Sequence, residues 1–103
     1  LSAFAELCGA SAEHHSRYPG WKYEALSPLR DKYIEVCRRV LGREPTVMAI
    51  HAGLECGIIK AAIPDMDIIA IGPIVDNIHT PDERLSLSSF ERFWQIVSGI
   101  LEK

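Results

Sequence analysis

The chain has 103 residues, 48% hydrophobic and 24% charged, with a formal charge of −3 and a pI near 5.8. One ordinary domain with a modest core is the default for that length, and the acidic balance gives no basic footprint for nucleic acid. No apolar run approaches the ~18 residues of a membrane span, so no membrane partner is expected and a cytoplasmic origin fits.

The opening LSAFAELCGA reads as a helix already under way that stops at Gly9, as though the chain were cut from something longer. Residues Ala10 to Tyr18 alternate loosely and read as a short strand ending at the turn signal YPGW, Tyr18 to Trp21. Ser27 and Pro28 form an N-cap and first-turn pair. Leu29, Tyr33, Val36, Cys37, Val40 and Leu41 then recur at helical spacing until Gly42 supplies the stop. TVMAI, Thr46 to Ile50, is a short run rich in β-branched residues, and a glycine-flanked turn leads from it into the helical LECGIIKAAI, Leu54 to Ile63. Pro64 closes that helix, and MDIIAIG, Met66 to Gly72, is uniformly apolar over a strand's length. Strand, helix and strand in that order predict a parallel pair. A mixed loop, Pro73 to Arg84, and a brief strand-like LSL precede Ser88, whose spacing to Glu91 is that of a capping box. The final helix is expected to bury Phe90, Phe93, Trp94, Val97 and Leu101. The fold class is therefore α/β, with part of a mostly parallel sheet flanked by helices. So small a parallel sheet stands poorly alone, which implies a larger sheet in the parent chain.

Ligands of open α/β sheets bind beyond the carboxyl ends of strands. Two segments leave such ends here: HAGLECG, His51 to Gly57, and the loop that carries His79. Gly53, at the start of a helix, lets a carboxylate or phosphate approach free backbone N–H groups, although a tight turn alone would also call for glycine. Glu55 and Cys56 fall in the first helical turn, where structural roles suffice, and His51 at the strand end is ambiguous. His79, with Asp76, Asp82 and Glu83 nearby, is a candidate metal ligand or general base, against the alternative of a plain surface histidine. His14 and His15 read as surface residues. The three cysteines, Cys8, Cys37 and Cys56, are widely spaced with no CxxC, which favours reduced thiols. A mononuclear zinc site built on His51, Cys56 and His79 lacks the compact spacing of a zinc motif.

Taken in order, YPGW at 18–21, Ser27–Pro28, IHAGLECG at 50–57, PDMDIIAIGP at 64–73 and IHTPDERLSLSS at 78–89 resemble the C-terminal part of the bacterial aminoacyl-histidine dipeptidases. These are a carnosinase-like branch of the dinuclear zinc peptidases. The resemblance implies that residues 1–20 end a lid domain and that 21–103 close a catalytic α/β domain. It implies that His79 ligates one zinc of the pair, that Gly53 contacts the terminal carboxylate of a bound dipeptide, and that Glu83 supports His79 from behind. It assigns no role to His51, Glu55 or Cys56. The family's other zinc ligands and its general-base glutamate match nothing here, so a fragment inactive alone is expected, with the N-terminal remainder as partner and Xaa-His dipeptides as substrates. The alternative is a non-catalytic α/β module that binds or oligomerises through its uncovered sheet edge, and a homo-oligomer is left open.

Overall fold

A computed structural model of the chain describes residues 1–50 and 52–102. Helix α1, Ser2–Leu7, ends in a local device: Gly9 takes a left-handed φ of 70°. The amides of Gly9 and Ala10 then donate back to the carbonyls of Glu6 and Ala5, at 3.0 and 2.9 Å. The helix buries none of its residues.

Helix α2, Pro28–Leu41, begins and ends where its caps dictate. Pro28 lacks only an N–H that the first turn would leave without a partner, and the Ser27 hydroxyl accepts from the Arg30 amide at 3.1 Å. Gly42, with φ 67°, closes the other end by donating to the Arg38 carbonyl. After α3, Glu55–Ala62, come two short strands, β1 Val75–Asp76 and β2 Arg84–Leu85, paired antiparallel with Val75 opposite Leu85 and Asp76 opposite Arg84. Helix α4, Leu87–Leu101, follows directly. The hairpin and α4 are stitched together. The Ile74 amide donates to the buried Ser89 hydroxyl at 2.9 Å, and the Ser86 amide donates to the Ile74 carbonyl at 3.0 Å.

The core lies between α2 and α4. Val36, Cys37 and Ile96 are its buried residues, with Tyr33, Val40, Leu41 and Ile100 packed against them. Close approach depends on Gly99, where a Cβ would stand 2.8 Å from a Val36 methyl carbon and from Arg39 Nη2. Burial, reinforced by the neighbouring Cys37 thiol, pushes the Tyr33 phenol up to about 12.

Several expectations drawn from the sequence are corrected by the structure. Among the described residues, the strand pairing is antiparallel and confined to β1 and β2; neither 46–50 nor 66–72 pairs as a strand. A strand needs a neighbour to take its backbone N–H and C=O groups, and no described segment supplies one to either run. Residues 10–18 fail to form a strand for the same reason. The capping box is not used either: α4 starts one residue before Ser88, and Ser86 is the N-cap, its hydroxyl accepting from the Ser89 amide at 3.4 Å. The face that α4 buries is also rotated from the expected one. Ile96 and Gly99 meet α2, whereas Trp94 and Leu101 remain 62% and 78% exposed. Apolar residues surround much of this helix, and a single partner helix covers only one stripe.

The chain as a whole is open. Its radius of gyration is 18.4 Å, against about 13 Å for a compact domain of this length. Its accessible surface is 8685 Å², against about 5800 Å² for a folded monomer of this mass.

Candidate functional site

The loop between β1 and β2, residues 77–83, is folded by its own side chains. The Thr80 amide and hydroxyl both donate to the Asn77 carbonyl, at 3.2 and 2.8 Å. The Glu83 amide donates to the Thr80 carbonyl at 3.2 Å, and the Asp82 amide to the Thr80 hydroxyl at 3.3 Å. Asn77 reaches across to the Asp82 carbonyl at 3.4 Å. Asn77 and His79 both take left-handed backbone conformations, φ 54° and 66°. That region costs an L-residue roughly 1–2 kcal/mol, although asparagine and histidine visit it more often than most. The His79 amide donates to Glu83 Oε2 at 3.0 Å, so the Glu83 carboxylate stabilises the backbone conformation that sets where the imidazole emerges. The His79 side chain is exposed, and no described residue hydrogen-bonds its ring.

The second place is a cleft of about 830 Å³ whose walls include Thr46–Ile50, Ala52–Leu54, Asp67–Gly72 and the linker from Tyr18 to Glu24. Gly53 lines it, at the approach to α3. Leu54, the N-cap of α3, has no side-chain acceptor to offer the first-turn amides. A Cβ at Gly53 would fall 1.4 Å from the Tyr18 hydroxyl, and one at Gly57 would fall 2.7 Å from the Pro19 carbonyl oxygen. Both glycines therefore make room for the YPGW segment to lie against the start of α3. Glu55 is exposed and Cys56 half-buried in the same turn. Cys8, Cys37 and Cys56 are all free. His51 lies outside the described residues. His79 is not among the residues lining the cleft, so the structure does not bring His79 and Gly53 to one pocket.

A residue missed by sequence reasoning ties the cleft to α2. Asp67, the acid inside the apolar run, accepts from the Ser27 hydroxyl at 2.6 Å through Oδ1 and from the Leu29 amide at 2.8 Å through Oδ2. Those donors, the Ser27 hydroxyl first, hold its carboxyl below the usual carboxylate range; the nearby Lys60 and Arg30 charges act in the same direction. Lys60 also pairs with Glu24 and donates to the Met66 carbonyl at 2.7 Å. Arg30 donates to the Glu24 and Ala25 carbonyls and stacks over Tyr23, 5.2 Å from the ring centroid. One charge within an otherwise apolar run was the available signal.

Among the described residues, no three of His, Cys, Asp and Glu converge as a metal site. A zinc centre needs at least three protein ligands. The described residues therefore do not by themselves assemble a whole centre of that kind.

Residues 8–103 match the Peptidase family M20/M25/M40. The chain belongs to this family. It is also 36% identical, over its entire length, to the cytosol non-specific dipeptidase of Escherichia coli strain K12. It spans only 21% of that relative. The resemblance drawn from YPGW, HAGLECG and HTPDE thus holds at the level of a peptidase family and a dipeptidase relative. No helix among the described residues is long and apolar enough to cross a membrane.

Proposed function

We propose that this chain is the closing part of the catalytic unit of a cytoplasmic zinc dipeptidase, with residues 1–20 ending its lid, and that it acts on Xaa-His and related dipeptides. The observation that carries the reading is the 77–83 loop: a ligating residue type is presented at its exposed end, on a backbone clamped by Glu83, within a chain of a peptidase family. His79 supplies one ligand to a zinc pair. Glu83 acts through the His79 amide and fixes the direction of the imidazole, as carboxylates behind metal-bound histidines commonly do from the ring side. Gly53 and the uncapped first turn of α3 receive the terminal carboxylate of the dipeptide, where backbone N–H groups and the positive end of the helix favour an anion. When bound, the zinc pair supplies Lewis acidity toward water and the scissile carbonyl. The general base and the remaining ligands come from the N-terminal remainder, so the chain by itself is inactive.

The test is hydrolysis of carnosine by the full-length parent, its His79→Ala variant and the isolated chain. The parent hydrolyses the dipeptide, whereas the variant and the chain do not. Unchanged turnover by the variant, or turnover by a contaminant-free chain, refutes the assignment. A second reading, a non-catalytic module that self-associates, draws on the exposed apolar surface of residues such as Met48 and Trp94. Light scattering that finds a monomer counts against it.

A further inference from the structure

The closely packed helices are α2 and α4, and among the described residues α3 buries only Gly57. Helix α3 is held instead by the linker from Tyr18 to Glu24. Tyr18 lies on Gly53, just before the helix. Pro19 and Trp21 lie on Gly57, where a Cβ would meet the Pro19 carbonyl oxygen at 2.7 Å and the Trp21 Cβ at 3.8 Å. Glu24 then pairs with Lys60, whose side chain is only 17% exposed. Gly53, Gly57 and Lys60 follow one another at the four- and three-residue intervals of a single helix face. The linker is therefore a strap along that face, from the approach of α3 to its last turn. Its far end is anchored at Glu24 from two sides. Lys60 takes the carboxylate, and Arg30 of α2 donates to the Glu24 and Ala25 carbonyls at 2.6 and 2.7 Å. Lys60 also donates to the Met66 carbonyl at 2.7 Å, so one ammonium joins α3, the strap and the start of the 67–72 run.

We infer that Lys60 is a positioning residue: through Glu24 it holds the 18–24 strap on α3, and the strap fixes Gly53 where the free carboxylate of a dipeptide binds. The inference rests on the proposed dipeptidase reading, with Gly53 at the carboxylate. Lys60 itself touches no substrate. It stands in the last turn of α3, and the strap carries its effect back to the first. An ion pair on open surface contributes little, but this ammonium is largely enclosed and shared with a carbonyl. The 77–83 loop does not depend on it, because the side-chain hydrogen bonds that fold that loop stay within residues 77–83. Loss of the pair therefore weakens substrate binding and leaves the catalytic step in place.

Steady-state hydrolysis of carnosine by the full-length parent and its variants tests this. Lys60→Met and Glu24→Gln are each expected to raise KM about tenfold and to change kcat less than about twofold. The double variant is expected to raise KM no further than either single one, because both remove the same contact. Lys60→Arg keeps the charge and is expected to hold KM within about threefold of the parent. Arg38→Met, which breaks the exposed pair with Glu44 on α2, serves as the control and leaves both constants in place. An unchanged KM in Glu24→Gln overturns the inference, since a lysine that only complemented the negative end of α3 would not need Glu24. Additive effects in the double variant overturn it too, as does a fall in kcat at constant KM. Should Lys60→Met fail to fold, Glu24→Gln, at a side chain 43% exposed, carries the test. Absence of carnosine hydrolysis by the unmodified parent sinks the dipeptidase reading, whereas hydrolysis with a KM indifferent to Glu24 sinks only the positioning role.

Discussion

Replacing Asp67 by alanine removes a side chain that ties the 67–72 run to the start of α2. Two donors lose their acceptor: the Ser27 hydroxyl, 4% exposed, and the Leu29 amide. A hydrogen bond to a charged group contributes about 1.5–3 kcal/mol. Asp67 is only half-buried, so the low end applies to each, and the loss is about 2–3 kcal/mol. With urea m-values of about 1–3 kcal/mol/M, the denaturation midpoint falls by roughly 1–3 M, with little change in slope. Urea unfolding of the chain, followed by far-ultraviolet circular dichroism, reads this. Asp65→Ala, two residues away and exposed, serves as the control and leaves the midpoint in place. The pH dependence follows from the lowered folded-state pKa. The contribution of Asp67 is fully present above the ordinary carboxylate value near 3.8 and is lost as the pH falls through the lower folded value. The difference between Asp67→Ala and the parent sequence therefore shrinks in acid. Equal midpoints for the Asp67 and Asp65 variants at neutral pH would refute the latch.

Gly99→Ala should destabilise the α2–α4 pair by about 1 kcal/mol. Overpacking against the buried Val36 costs about 1–3 kcal/mol, which the helix-propensity gain of about 1 kcal/mol only partly offsets; a raised melting temperature would contradict this. Ser86→Ala should cost about 1 kcal/mol as loss of an N-cap, whereas Glu91→Gln should stay within about 0.5 kcal/mol; the reverse order in thermal melts would restore the capping box.

The limits of α2 are legible because caps are local. Ser27, Pro28 and Gly42 act within a turn of where they stand. The start of α4 is harder to read, since Ser86, Ser88 and Ser89 all qualify as caps. The choice is made by the hairpin, which takes the Ser86 amide and the Ser89 hydroxyl for Ile74. Strand pairing for 46–50 and 66–72 depends on partners remote in sequence, so their apolar composition was readable and their neighbours were not. HTPDE marked His79 and Glu83 as a unit, and the structure adds the contact between them, which runs through the His79 amide. Gly53 illustrates the opposite limit. An anion cradle and a seat for Tyr18 both require a residue without Cβ, and the second depends on a contact remote in sequence.

Zinc content of the full-length parent and its His79→Ala variant, measured by plasma mass spectrometry after removal of loosely bound metal, tests the central claim most directly. The account predicts that the variant keeps its secondary structure and loses one zinc of the pair. Retention of both would contradict it.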